Sequence, residues 1–559
     1  MKRLFLFIIG LYLCFSARIY AQEIVSPLNI PLYLSGSFGE LRNDHFHSGI
    51  DFKTQGTIGH AIKSVKAGFV SRISVSPYGF GRAIYVDHPD GTTSVYGHVD
   101  RFTSKIESIV ADNQYEKESF TVNLSFSDSE LPVQQGEIIA YSGNTGSSGG
   151  PHLHFELRHT RTEKPFDPLP FFKNRLKDTT SPEIRSLIFI PQPGKGVVNG
   201  SANKQIIDVV KDTNGKYTLS KPVKAWGMIG VGIKAFDKMD GTTNIYGVKE
   251  IRLRIDNLLM YHSEIDEFSF DESRYLNSFI DWEEWKMRSS FFMKSFIEQG
   301  NNLGIYQSNQ SGLISINESK TYNCEYILQD SYGNISTLNF NIYGEDSFIP
   351  EERNNGIFFS YNTHNEYNGN GIELAVPVGA LYTDIYINPE TSFTDKSDFA
   401  PLYSLGKRNT LHTYCSLTLD IPNDTYPDKS KYGIVSVINN RTSWLGGEYE
   451  NQKIKGRIRE LGQFTITIDT VPPIVTPQNR AKWTESKRIS FKITDDLSGI
   501  DFYQGRLDGK FVLFEYDAKT NLLFCKYDAK RMKKGKQTLT LVVRDGAKNE
   551  TSLSYDVVF

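Results

Sequence analysis

Cysteine is scarce: 559 residues contain 4, of which Cys14 lies in a leading apolar segment and Cys324, Cys415 and Cys525 stand far apart. Three cysteines cannot all pair with one another, and their wide spacing rules out a cysteine-based zinc knuckle. A disulfide scaffold is therefore excluded, and buried single thiols are expected. Long apolar runs are lacking too. The leading run, Leu4–Phe15, is shorter than the roughly 18–20 residues that a bilayer-spanning helix needs, and no later stretch reaches that length. Charge of one sign is also missing, because 62 Lys and Arg face 65 Asp and Glu for a net −3. With no basic run, nucleic acid is not an expected partner. The glycine-rich stretch Gly143–Gly150 is not followed by Lys-Ser/Thr, and neither Gly-x-Ser-x-Gly nor His-Glu-x-x-His occurs. Nucleotide and serine-nucleophile chemistry are disfavoured on that ground.

What is present is enough apolar residue to build several cores: 39% hydrophobic and 13% aromatic over a length that divides into a few domains. Residues 1–22 read as a cleaved export signal, since Lys2 and Arg3 precede the apolar run and Ala21 closes it before Gln22. Cys14 would suit a lipid-anchored form, but Leu13 stands where such processing wants a small residue, and an ordinary signal is favoured. The expected location is the periplasm or cell envelope, or the exterior after secretion.

The fold class expected is mainly all-β. Ala67–Val75, Arg82–Asp87, Thr92–His98, Ile138–Ser142 and His152–Arg158 read as strands, separated by turns at Tyr78–Gly81 and Pro89–Gly91. The polar stretch Thr103–Glu130 reads as an inserted excursion. After a head domain, 23–177, the text changes to aromatic strands and Asn/Asp/Gly turns. Thr179-Thr180-Ser181-Pro182 and Thr470-Val471-Pro472-Pro473 open matching segments. Each of these carries an Asp-rich turn, Asp237–Gly241 or Asp495–Gly499, and closes alike, at Gln329–Asn334 or Arg544–Asn549, before a last strand. An internal repeat of immunoglobulin-like β-sandwiches follows, at 178–345 and 470–559, with a β-rich unit at 346–469 between them. The first sandwich holds a helical insertion around Ser273–Gln299.

The chemistry gathers in the head, where eight of the 11 histidines precede residue 160. In Pro151-His152-Leu153-His154-Phe155, histidines two apart on a strand project from one face. His47-Ser48-Gly49-Ile50-Asp51 adds an imidazole and a carboxylate around a glycine. Combined with a strand histidine, these make a three-ligand site with an open position, the catalytic pattern for zinc. His98 ends a strand beside Gly97, a glycine small enough for a substrate backbone to approach. Glu156 is read as facing away from His154. His60, His88 and His159 are read as structural, and His45 as a stray donor.

These pieces, in this order, resemble the lysostaphin-type (LytM-like) zinc endopeptidases, over about residues 30–171. The resemblance implies Zn2+ held by His47, Asp51 and His154, with His98 and His152 catalytic, one as general base and the other steadying the oxyanion. The sequence leaves open which does which. It also implies hydrolysis of peptide bonds in peptidoglycan stem peptides or cross-bridges. The accessory domains would address the wall or other envelope proteins. The alternative is a non-catalytic envelope scaffold, activator or wall-binding protein, as relatives that have lost ligands serve.

Overall fold

The computed structural model describes residues 23–307, 310–352, 355–393 and 400–559; the expected signal, 1–22, lies outside them. Among the described residues strands dominate, and no helix is long and apolar enough to cross a membrane.

In the head, Ile50–Lys53 lies between Leu34–Gly36 and His152–His159, and the latter strand also pairs with Thr92–Gly97. Arg82–Asp87 and Gly68–Val75 continue the sheet. The strands expected from alternation are therefore present, within a residue or two at their ends. Register does the positioning: His154 stands opposite Asp51 on one side and Gly97 on the other. Opposed residues share a face, so the three separated motifs meet. The alternate residues Ile50, Phe52, Leu153, Phe155 and Tyr96 are buried on the other face. There the Phe155 ring packs against Phe52, Tyr96 and Phe172 at 6.0, 5.4 and 5.7 Å. Burying each such ring stabilises the sheet by about 1.5–3 kcal/mol, so the site rests on a rigid platform.

The stretch Thr103–Glu130 is not an excursion. It forms the helix Ser104–Glu116 and the strand Val122–Ser125, which pairs with Gly68–Val75 as part of the main sheet. Its polar look arises because the helix buries only Ile106, Val110 and Gln114.

Residues 183–344 build one ten-stranded sheet around the long antiparallel pair Glu183–Val198 and Val223–Phe236. Ile335–Gly344 pairs in parallel with both Tyr217–Leu219 and Val223–Phe236, so part of this sheet closes into a ring. Short helices, Leu276–Phe279 and Trp282–Arg288, occupy the expected insertion. Head and second domain share one continuous core. Phe46 of the head packs on Phe268 and Phe279 at 5.4 and 5.8 Å. The next unit is an eight-stranded sheet built on the pair Leu402–Asp420 and Lys453–Ile468. The last is a sandwich of two four-stranded sheets whose core includes Phe491, Phe514, Leu523, Leu539 and Leu541. Cys324, Cys415 and Cys525 are free and buried, one in each of these three units.

The last sandwich folds back onto the head. Arg531 pairs with Asp112, Arg506 with Glu118, and Arg82 with Glu515 at 3.4 Å. Tyr115 meets Phe511 edge-on at 5.4 Å, and Lys519 Nζ donates to the carbonyl of Asn144, inside the glycine-rich loop.

Candidate metal centre

His47, Asp51 and His154 are all buried and converge on one face of the head sheet, the last two on its interior strands Ile50–Lys53 and His152–His159. His47 Nε2 lies 3.0 Å from His154 Nδ1 and 3.1 Å from Asp51 Oδ1, and Asp51 Oδ1 lies 2.9 Å from His154 Nδ1. A triangle of two imidazole nitrogens and a carboxylate oxygen suits zinc in kind. Donors about 2.0–2.1 Å from a tetrahedral ion stand roughly 3.3 Å apart, so a spreading of a few tenths of an ångström completes the geometry.

Each ligand nitrogen is aimed by a bond at the other side of its ring. His47 Nδ1 lies 2.7 Å from the Ser37 carbonyl. A carbonyl only accepts, so Nδ1 carries the proton and Nε2 presents its lone pair to the site. His154 is aimed the opposite way, with Nε2 donating to Glu156 Oε1 at 2.9 Å and Nδ1 turned inward. Glu156 is wholly buried, accepts from Ser48 Oγ, and is paired with Arg158 Nε at 2.6 Å. The expectation that Glu156 faces away from His154 is overturned: residues two apart on a strand share a face, so it lies beside His154. Strand alternation applied through 152, 154 and 156 would have found it, and such carboxylates fix the tautomer and basicity of metal-binding histidines.

The electrostatics agree. Burial alone would raise Asp51, but His47 and hydrogen bonds from His152 and His154 hold its carboxyl well below the usual range. Burial also lowers His47, keeping it neutral. Burial opposes charge on His154, yet its bonds to Asp51 and Glu156 carry it up to about 9; without an ion a proton occupies this cluster, and a cation would displace it. Arg42 Nη2 steadies Asp51 Oδ2 at 3.2 Å.

His98 and His152 stand beside the triad, their rings 4.8 Å apart. His98 Nδ1 donates to the Thr145 carbonyl at 2.8 Å, and His152 Nδ1 to the Gly150 carbonyl at 2.8 Å. Each therefore presents Nε2, and that of His152 lies 3.4 Å from Asp51 Oδ1. Burial and the neighbouring His154 and His152 push the His98 imidazole down to about 3, so it is neutral with Nε2 unprotonated. His98 also adopts a left-handed backbone with φ of 59°, a conformation that clusters at functional sites. Gly97 serves His154 more than a substrate, since a Cβ there would lie 3.3 Å from His154 Cβ and 3.5 Å from the Phe80 ring. Gly149 and Gly150, by contrast, face open space.

The remaining histidines are set apart. His88 bonds to Ala67 and Ser94, His60 to Thr54 and Thr57, and His159 to Glu267. His45 is exposed beside Asp44. All five expected site residues come together.

An all-β head that gathers two histidines and an aspartate fits the class of metallopeptidase domains. Residues 45–115 and 122–168 match peptidase family M23, in agreement with the lysostaphin-type resemblance of the head. The break in the match, 116–121, is far shorter than the excursion expected at Thr103–Glu130. Residues 356–469 match a Zu5-like domain. The chain is 31% identical over 113 residues to the DD-carboxypeptidase/endopeptidase Mpg of Neisseria meningitidis serogroup B, covering 20% of each protein. It is 28% identical over 135 residues to lysostaphin of Staphylococcus staphylolyticus, covering 24% of this chain and 23% of that one. The solved catalytic domain of lysostaphin from Staphylococcus simulans aligns at 26% identity, over 25% of this chain and 92% of that one, with a TM-score of 0.19. The chain thus spans about a fifth of the length of these curated relatives.

Proposed function

We propose that the chain is an exported zinc endopeptidase that hydrolyses peptide bonds of peptidoglycan. The observation that carries this reading is the meeting of His47, Asp51 and His154 donor atoms within 2.9–3.1 Å on one sheet face, flanked by His98 and His152. Zinc bound by those three residues would lower the pKa of a coordinated water to about 7 and polarise the scissile carbonyl.

The chain's own groups divide the remaining work. His98, neutral and presenting Nε2, is suited to take a proton from the attacking water and return it to the leaving amine. His152, whose Nδ1 is held by the Gly150 carbonyl and Ser148, presents Nε2 to the same space and, once it has taken up a proton there, can donate it to the oxygen on which charge develops. Glu156, paired with Arg158, accepts from His154 Nε2 and so keeps the other ring nitrogen, Nδ1, facing Asp51. The open loop at Gly149–Gly150 leaves room for an extended peptide. Lys2, Arg3 and the apolar run after them support export, which would bring the head to its substrate.

The test is release of soluble muropeptides from purified sacculi by the mature chain, beside Asp51→Ala and a chelated sample. Release that needs both metal and Asp51 supports the reading, and the masses name the bond. No release from folded, zinc-loaded chain would favour the scaffold reading instead.

A further inference from the structure

A second cluster lies at the junction of the head and the second domain. Asp178 ends the segment that leaves the head, Asp237 closes the long strand Val223–Phe236, and Asp330 follows Thr321–Gln329. Successive members are 59 and 93 positions apart, yet their carboxylates lie within 4.8 Å of one another and all are buried.

Three like charges packed together in low dielectric repel strongly and lose hydration, which demands a compensating group. None is supplied: among the described residues no Lys or Arg forms an ion pair with any of the three. Some of their oxygens are occupied. Asp330 accepts from the backbone of Tyr332 and Asn334, at 2.8 Å each, and from Asn334 Nδ2 at 2.7 Å. Asp178 Oδ1 accepts from Thr180 N at 3.0 Å. Two oxygens are left over. Asp178 Oδ2 and Asp237 Oδ1 have no hydrogen-bond partner, although their residues are only 8% and 5% exposed. Unsatisfied carboxylate oxygens at that depth, beside other carboxylates, are rare in folded proteins and call for an ion or ordered water.

The C-terminal sandwich repeats the arrangement. Asp469, Asp495 and Asp545 also lie within 4.8 Å of one another. They occupy the corresponding places, before Thr470-Val471-Pro472-Pro473, in the turn Asp495–Gly499, and before Asn549. Asn549 binds Asp545 as Asn334 binds Asp330, with its Nδ2 at 2.7 Å in both. The repeat differs in one respect: backbone N–H groups of Leu497 and Gly499 reach Asp495, and that of Ser498 reaches Asp469, so local dipoles offset more of its charge.

We propose that Asp178, Asp237 and Asp330 form a binding site for a hard divalent cation of the calcium class, bracing the junction between the head and the second domain. All-oxygen donors and no imidazole or thiolate select such an ion over zinc. The site is mechanically tied to the head. Asp237 exchanges backbone bonds with Tyr246 at 2.9 Å, and Tyr246 Oη donates to the Leu34 carbonyl at 2.9 Å. Gly247 N donates to Ser37 Oγ at 3.1 Å, and Ser37 is the residue whose carbonyl aims His47.

The test is equilibrium dialysis of the mature full-length chain, carrying one equivalent of zinc, against radiolabelled Ca2+ in chelator-treated buffer, with thermal unfolding in parallel. The expected result is saturable calcium binding and a rise in Tm with calcium. Asp237→Asn and Asp178→Asn should each bind one calcium fewer per chain, lose that rise, and melt no lower than wild type when calcium is absent, because repulsion has been relieved. Asp495→Asn should leave this calcium in place. Two results would overturn the proposal: no calcium retained by the wild type at millimolar concentration, or wild-type binding by both Asp237→Asn and Asp178→Asn. Should one of those two variants fail to fold, the other decides.

Discussion

Two buried aspartates in this chain experience opposite fields. Asp51 of the head sits among three imidazoles and below Arg42, and its carboxyl is held well below the ordinary range. Asp237 of the second domain is buried and faces Asp330 and Asp178, and its carboxyl is pushed up to about 8. Burial acts on both in the same direction, so the neighbours decide. Around Asp51 the protein has built a preformed, charged acceptor ringed by imidazole nitrogens. Around Asp237 it has collected oxygen donors and left their repulsion uncompensated. The same side chain thus serves a borderline metal in one place and, on the proposal above, a hard one in the other.

The largest expected effect separates the two clusters. Asp51→Ala or His154→Ala should abolish zinc retention, read by metal analysis after gel filtration, while calcium binding stays at the wild-type level. Asp237→Asn should do the reverse. If one substitution emptied both sites, the clusters would be a single coupled system and the comparison would fail.

Next in size is the separation of metal from turnover inside the head. His152→Ala and His98→Ala should each keep stoichiometric zinc and lose about 10²–10⁴-fold in kcat. Normal cleavage by either variant would remove that histidine from the roles assigned above.

Glu156→Gln tests whether the alignment of His154 matters. The amide keeps the shape but removes the charge between His154 and Arg158, and zinc affinity or activity should fall by roughly 10–100-fold. Loss by simple unfolding would instead show as a lowered Tm at saturating zinc.

The smallest effect concerns the returning C-terminal sandwich. Arg531→Ala deletes a contact to Asp112, which is largely exposed, and should change unfolding free energy by only about 0–1 kcal/mol. A change beyond that range in chemical denaturation would show that Arg531, which also lies over the Tyr115 ring at 4.8 Å, holds the sandwich on the head more strongly than an exposed ion pair can.

Strand alternation put His152 and His154 on one face, and the resemblance to lysostaphin-type endopeptidases supplied the full set with His47, Asp51 and His98; the structure brings them together because His154, Asp51 and Gly97 fall in one register row. The same rule, applied two residues further, would have included Glu156. The helix Ser104–Glu116 was not legible, since three buried positions in thirteen residues leave little apolar periodicity. Ring closure in the second domain was hidden for another reason. Tyr217 pairs in parallel with Leu338, and such long-range pairing leaves no mark in either local segment. The repeated openings and closings of the segments at 178–345 and 470–559 were visible. That each repeat brings three aspartates together across the fold was not, because proximity depends on how the sheets close.

The central claim is that the head is an active zinc peptidase. It is tested most directly by measuring zinc content and muropeptide release on one sample of the mature chain, with His152→Ala treated identically. The account predicts about one zinc per chain in both samples and zinc-dependent release by the wild type alone. One zinc per chain with no release by the wild type, or equal release by His152→Ala, would contradict it.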